Sequence, residues 1–284
     1  LEGISTIIFD EFHERSLHSD VALALTREAQ QVIRSDLRIV IMSATIDTSS
    51  ICQALDAELV ESEGRMFPVE IIHTPEEAND QNVAEGVAHA IRQAHKEQDG
   101  DILAFLPGEG DIRRCQELLK EALGNTQIRP LYGMLSPKDQ RLAIQPSEDG
   151  MRKVVLSTPI AETSLTIEGV RIVVDSGLCR TMVFDALSGL SHLKTVRISK
   201  DMATQRMGRA GRLSAGVCYR LWSLATDHRM AESRQPEILE ADLSSMLLDV
   251  VAWGEVDAAR LPWLTPPPSA HLRQAKQLLY LLHA

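Results

Sequence analysis

The sequence predicts an α/β protein: two parallel-sheet lobes, the first of them partial, followed by the start of a helical module. Three observations lead there. Apolar runs of strand length alternate with amphipathic stretches, and continuous apolar strands joined by helices form parallel sheets covered on both faces. The 284 residues correspond to about two domains at roughly 150 residues each. After about Arg234 the alternation gives way to helical periodicity.

The elements follow in order. Ser5–Phe9 is a short β-branched run ending in Asp10 and Glu11. Leu17–Ile33 carries Leu17, Val21, Leu25 and Ala29 at spacing four, the repeat of one helix face. Leu37–Met42 is a second buried strand leading into Ser43-Ala44-Thr45, and Val69–Ile72 is a third. His73–Asn82 holds proline, asparagine and acids without periodicity and reads as the linker. A second α/β series then runs through strands at Asp101–Leu106, Ile128–Tyr132, Lys153–Leu156 and Val170–Val174, with a helix at Asp111–Leu123. Thr181–Ile198 reads as a hairpin turning at Ser188-Gly189, and Val217–Trp222 as the last strand. Pro236–Trp253 is expected to be one amphipathic helix, and Ala270–Leu282 another. The expected domains are 1–74, 75–233 and 234–284. The chain opens on Leu1 and ends inside a helix, so a piece of a longer protein is expected.

Composition excludes several classes. With 44% hydrophobic and 24% charged residues, the chain is neither collagenous nor low-complexity. No run of about 18 apolar residues offers a membrane-spanning helix. A net charge of −11 argues against a general polyanion binder. The four cysteines are far apart without a CxxC pair and read as reduced core residues of a cytoplasmic protein. Nothing demands more than a monomer.

Three clusters carry chemistry. Asp10-Glu11-Phe12-His13 directly follows a buried strand, and ligands of open α/β sheets sit at carboxyl ends of strands. Adjacent carboxylates there can divide the work, one holding Mg²⁺ and the other orienting or deprotonating a water. The competing reading is a solvated strand end. Ser43-Ala44-Thr45 offers hydroxyls that bond the acid cluster or cap the next helix. Gln205–Arg212 places Arg206, Arg209 and Arg212 at spacing three, expected along one helical stripe. Arginines stacked so repel unless an anion joins them, and a triphosphate suits; a structural ion-pair helix is the alternative. From Arg180 to Arg220 eight Lys/Arg face two Asp, a net +6 in an acidic chain. Nucleic acid on that stripe, at Arg180, Lys194 and Arg197, would be held by its phosphates rather than its bases.

In this order the clusters resemble the DEAH-box ATP-dependent RNA helicases of superfamily 2, most closely their bacterial HrpB-like branch. Asp10–Ser16 resembles motif II, and Ser43-Ala44-Thr45 motif III. Phe105–Gly108 and Pro130–Gly133 resemble motifs IV and IVa, Ile160–Ile167 motif V, and Gln205–Arg212 motif VI. One such match is moderately specific; six in order are far more so. The resemblance implies two RecA-like domains with Mg-ATP in the cleft between them and single-stranded RNA across their tops. It implies that Asp10 and Glu11 serve Mg²⁺, that Glu11 activates the hydrolytic water, and that His13 links the nucleotide site to Ser43 and Thr45. It further implies that Gln205 positions the water or γ-phosphate, that Arg209 and Arg212 are arginine fingers, that Ser164 senses the nucleotide, and that Thr158 touches the RNA backbone. The hairpin resembles the one that separates strands, and the helices after Pro236 the start of a winged-helix and helical module.

The sequence also departs from the pattern. Phe12 replaces alanine, Pro159 stands where asparagine is usual, and Ile144 occupies the position aligned with the base-stacking aromatic. No G-x-x-x-x-G-K-[ST] phosphate-binding loop occurs, so the 284 residues are expected to be inactive alone. A non-catalytic RNA-binding module and a DNA-directed helicase of the same superfamily are the alternatives.

Overall fold

The run around Ile7 forms strand β1 (Thr6–Phe9), paired in parallel with β2 (Arg38–Ile41), Thr6 opposite Arg38 and Phe9 opposite Ile41. Helix α1 (Leu17–Val32) connects them, and α2 (Thr48–Leu55) follows. Ser16 caps α1, its side chain accepting from the Ser19 N–H, which satisfies one of the orphan donors of the first turn. The computed structural model describes residues 2–44, 48–62, 64, 67–75, 77–147, 150–162, 166–185 and 188–283.

The chain divides into two units, one of Leu1–Ser62, Met182–Lys194 and Arg234–Ala284, the other of Glu63–Thr181 and Thr195–Ser233. The second unit contains β3 (Val69–His73), α3 (Val83–Glu97), β4 (Asp101–Phe105), α4 (Glu109–Leu119), β5 (Gln127–Leu131), α5 (Pro137–Ile144), β6 (Lys153–Ser157) and β7 (Val170–Asp175). The hairpin strands are β8 (Leu178–Asp185) and β9 (Leu190–Arg197); then come α6 (Lys200–Gly208), β10 (Gly216–Arg220) and α7 (Leu224–Arg229). Six strands form one parallel sheet in the order β3-β10-β7-β4-β6-β5. Alternation along each strand sorts its residues between the two faces. Ile102, Ala104, Leu106, Val154 and Leu156 pack against α3 and α4. Leu103, Phe105 and Val155 pack on the other face with Ala143 of α5 and Ala210 beyond α6. Central strands covered on both faces explain the continuous apolar runs.

The hairpin forms as expected. Gly189 adopts φ +69°, its N–H donates to the Asp185 carbonyl, and the Ser188 hydroxyl donates to the Asp185 carboxylate. A left-handed residue in such a tight turn favours glycine.

The C-terminal helices are α8 (Ser244–Trp253) and α9 (Ser269–Leu281). They share a core with α1: Val21 and Ala24 pack with Ile238, Leu243, Met246, Leu247, Val250 and Leu272. Leu23 of α1 turns instead to Phe9 and Phe12.

The structure revises three expectations. Pro236–Trp253 is not one helix: a 3-10 turn at Glu237–Leu239 precedes α8. The Asp242 carboxylate accepts from the Ser244 N–H and hydroxyl, a local bond that competes with helix continuation. Residues 234–284 group with 1–62 rather than standing apart, because the apolar side of α8 is satisfied by α1. The stretch 73–82 is not a free linker. Val69–His73 pairs with β10 inside the second unit, and the Thr74 and Ala78 N–H groups continue onto the carbonyls of Arg220 and Leu221. That unit therefore begins near Glu63, not at 75. Among the described residues no helix is long and apolar enough to cross a membrane.

Candidate active site

The motif II residues leave the carboxyl end of β1 in a strained turn. Glu11 adopts φ 49° and ψ 35°, and Arg15 φ 47° and ψ 42°, bracketing a 3-10 turn at Phe12–Glu14. Left-handed conformations at non-glycine residues cost about 1 kcal/mol or more each and cluster where geometry serves a site. Here the turn keeps Asp10 exposed and Glu11 partly exposed while burying Phe12 completely. The Asp10 Oδ1 accepts the Glu11 N–H at 2.8 Å. Phe12 meets Phe9 edge-to-face at 6.2 Å and belongs to a cluster with Leu23. The aromatic residue in the alanine position is thus a core anchor, worth about 2–3 kcal/mol of burial.

His13 is 5% exposed. Its Nε2 lies 3.5 Å from Glu11 Oε2, and among the described residues neither ring nitrogen has a hydrogen-bond partner. A buried imidazole with both nitrogens unsatisfied calls for a role beyond packing. The backbone brings motif III to the same place. The Met42 N–H donates to the Phe9 carbonyl at 2.8 Å, and the Phe12 N–H donates to the Met42 carbonyl at 3.0 Å. Ser43, the next residue, is exposed beside this turn; Thr45 lies outside the described residues.

In the second unit the arginines do not form one stripe. Helix α6 ends at Gly208, so the three side chains take different environments. Arg206 is fully buried and structural: it donates to Asp175 at 2.8 Å, to Glu162 at 3.1 Å and to the Leu178 carbonyl at 3.3 Å. Its guanidinium also lies 4.8 Å over the Phe105 ring. Burial alone would push its pKa down, but Asp175 and Glu162 outweigh that and raise it. Arg209 is 7% exposed and donates through Nε to the Glu162 carbonyl at 3.1 Å. Arg212 is exposed and donates to Thr166 Oγ1 at 2.7 Å. Motifs V and VI are therefore joined through Glu162, held by Arg206 on its carboxylate and Arg209 on its carbonyl. Gln205 is half-buried on α6, and Ser164 lies outside the described residues. Sequence reading missed the Glu162–Arg206–Asp175 network. Its signal was Asp175 at the end of the apolar run VRIVVD, where a buried carboxylate needs a cation.

Gly211 is the close-approach glycine of motif VI. Its carbonyl accepts the Phe67 N–H at 2.9 Å, and a Cβ there would lie 2.6 Å from the Phe67 carbonyl oxygen and 2.7 Å from a Val69 methyl. Gly211→Ala is expected to destabilise the second unit by about 1–3 kcal/mol, measured as a lower melting temperature. An unchanged melting temperature would show that β3 shifts freely.

The residues expected to meet nucleic acid are largely neutralised. Arg180 pairs with Asp111 at 3.2 Å and Arg197 with Glu77 at 3.3 Å, while Lys200 pairs with Glu232 and Arg220 with Asp227. Lys194, on β9, is exposed. The net +6 of the sequence is therefore no uniform basic stripe, because acids from distant segments fold onto it. Thr158 follows β6, its N–H donating to the Leu131 carbonyl. Pro159 opens a 3-10 turn, a position where a missing N–H leaves no helical bond unmade. Ile144 packs against the core beside Ala143. Cys115, Cys179 and Cys218 are buried and unbridged, and burial pushes the Cys115 and Cys218 thiols up to about 12. These two are packing residues, not nucleophiles.

Comparison with known proteins accords with these features. A family model described as the helicase conserved C-terminal domain matches residues 82–214. Over 286 residues the chain is 48% identical to the ATP-dependent RNA helicase HrpB of Escherichia coli K12, covering 100% of this chain and 35% of that protein. It is 37% identical to the ATP-dependent RNA helicase HrpA homolog of Haemophilus influenzae, covering 100% of this chain and 22% of that protein. The crystal structure of the Escherichia coli DEAH/RHA helicase HrpB matches with a TM-score of 0.92 at 48% identity, over 99% of this chain and 36% of that one. The chain thus spans well under half the length of these relatives. With motif II at the end of β1, Met42 just before the motif III segment bonded to it, and motifs V and VI joined through Glu162, the chain belongs to the DEAH-box helicase family.

Proposed function

We propose that this chain is the segment of an ATP-dependent RNA helicase that couples Mg-ATP hydrolysis to movement on, or unwinding of, RNA. The observation that carries the reading is the motif II turn: two carboxylates at a strand end, held by a left-handed backbone that folding alone would not favour. Mg²⁺ fits this donor set. Among the described residues no group of three or more His, Cys, Asp or Glu could cage a metal. Mg²⁺ is typically held by one or two carboxylates together with phosphate oxygens and water, and Asp10 with Glu11 supplies that number of hard oxygen ligands. Bound Mg²⁺ neutralises phosphate charge and so lowers the barrier to attack.

The chain's own residues then take these roles. Asp10 holds the metal. Glu11 accepts the proton of the attacking water, and His13 links the nucleotide site to Ser43 and Thr45. Gln205 orients the water or the γ-phosphate. Arg209 and Arg212 place guanidinium charge on the transferring phosphoryl oxygens, and Ser164 reports the nucleotide state. Thr158, Arg180, Lys194 and Arg197 contact RNA phosphates, Arg180 exchanging Asp111 and Arg197 exchanging Glu77 for phosphate. Such an exchange predicts modest affinity that falls with salt. The reading carries with it a cytoplasmic monomer.

The test is hydrolysis by the full-length protein with single-stranded RNA or DNA added. RNA-stimulated turnover that falls about a hundredfold in Arg212→Ala, with Arg209 left to carry part of the charge, is expected. Equal stimulation by DNA would favour a DNA-directed enzyme, and full activity in Arg212→Ala would remove the finger role. The 284 residues alone, without a G-x-x-x-x-G-K-[ST] loop, are expected not to turn over ATP.

A further inference from the structure

Arg15 has no part in the mechanism above, yet contacts from three stretches of chain converge on it. Its Nε and Nη2 donate to the two Asp20 carboxylate oxygens at 3.1 and 3.2 Å, and Nη2 also donates to Thr265 Oγ1 at 2.8 Å. Its guanidinium carbon lies 5.5 Å from the Phe12 ring centroid. Its own N–H donates to the Phe12 carbonyl at 3.0 Å, and its carbonyl accepts the Glu237 N–H at 3.0 Å. The Glu237 carboxylate in turn accepts the Leu17 N–H at 2.7 Å, at the first residue of α1. The C-terminal helical module thus contributes three bonds, from Thr265 Oγ1, Glu237 N–H and Glu237 Oε2, to the segment that leads out of the acidic turn.

This wiring is specific, and its Arg15 side-chain bonds are partly buried. Asp20 is 2% exposed; burial raises its pKa, and Arg15 works against that shift. Only a planar fork satisfies both Asp20 oxygens while reaching Thr265, which is a property of arginine and not of lysine. The backbone of Arg15 is left-handed, as is that of Glu11 four residues earlier. Two strained residues in one short turn persist only where surrounding contacts over-determine them. The contacts that do so at Arg15 come from Asp20, Phe12, Thr265 and Glu237.

We propose that Arg15 is a positioning residue. Through Asp20, Thr265 and Glu237 it makes the C-terminal helices part of the support for the Asp10-Glu11 turn, so hydrolysis depends on residues more than 200 positions away in sequence. The proposal rests on the reading of Glu11 as the base, and its test separates the two.

In the full-length protein, Thr265→Val keeps the shape and removes the hydroxyl that accepts from Arg15 Nη2. It is expected to lower kcat for RNA-stimulated hydrolysis about fivefold to tenfold, since a bond to a charged group is lost. The KM for ATP is expected to stay within about twofold, and the melting temperature to fall by about 3–6 °C. Amide hydrogen exchange over residues 11–15 is expected to speed up about tenfold, a readout that needs no nucleotide. Arg15→Lys should not rescue, and the Arg15→Lys/Thr265→Val double variant should be no worse than Arg15→Lys alone. Wild-type exchange over 11–15 in Thr265→Val, unchanged kcat, or additive effects in the double variant would overturn the proposal. Glu11→Gln run alongside isolates the other reading. If it retains turnover, the base assignment fails while exchange still decides the positional claim.

Discussion

Glu11→Gln is expected to lower RNA-stimulated ATP turnover of the full-length protein about a thousandfold while leaving the KM for ATP within about threefold. The substitution is isosteric and removes only the basic oxygen. Asp10 keeps its bond from residue 11, because that bond comes from the backbone N–H at 2.8 Å. The turn is held by Phe12 in the core and by the Phe12 N–H on the Met42 carbonyl, neither of which involves the Glu11 side chain. A large loss of kcat with retained KM would therefore report a missing proton acceptor rather than a collapsed site. The measurement is steady-state hydrolysis at saturating RNA, and turnover within about tenfold of the parent would sink the assignment.

Arg206→Met is expected to be the most destabilising single change in the second unit, costing about 3–5 kcal/mol. It leaves the Glu162 and Asp175 carboxylates, at 3% and 0% exposure, without the cation that satisfies both. At roughly 2–4 °C per kcal/mol for a domain of this size, the melting temperature should fall by about 10 °C. Thermal melts of parent and variant test this; a melting temperature within about 3 °C of the parent would mean that the acids found other partners.

Much of the fold was legible in the sequence, and particular residues show why. Runs such as DILAF and KVVLS are apolar on both alternating sets of positions, which only a strand covered on two faces requires. The hairpin was legible at Ser188-Gly189 because turn chemistry is local. The break between Glu237–Leu239 and α8 was not, since it goes with the Asp242 carboxylate accepting from the Ser244 N–H and hydroxyl, a local bond that competes with helix continuation. The edge strand Val69–His73 was assigned to the wrong side of the boundary because its partner, β10, lies about 150 residues later.

The candidate site divides the same way. Residue types and order alone determined the family resemblance, the acid pair after β1, the hydroxyl segment after β2 and the arginine-rich segment before β10. Those signals depend on chemistry at short spacing. Only the tertiary structure decided which arginines are structural, because charge in a sequence carries no information about which distant acid folds onto it. Arg206 went to Glu162 and Asp175, Arg180 to Asp111 and Arg197 to Glu77, leaving Arg212 exposed. It likewise decided that α1 shares its core with α8 and α9, and that Arg15 meets Thr265 across 250 positions. Burial and pairing are settled by long-range packing, and no local pattern of residues encodes it.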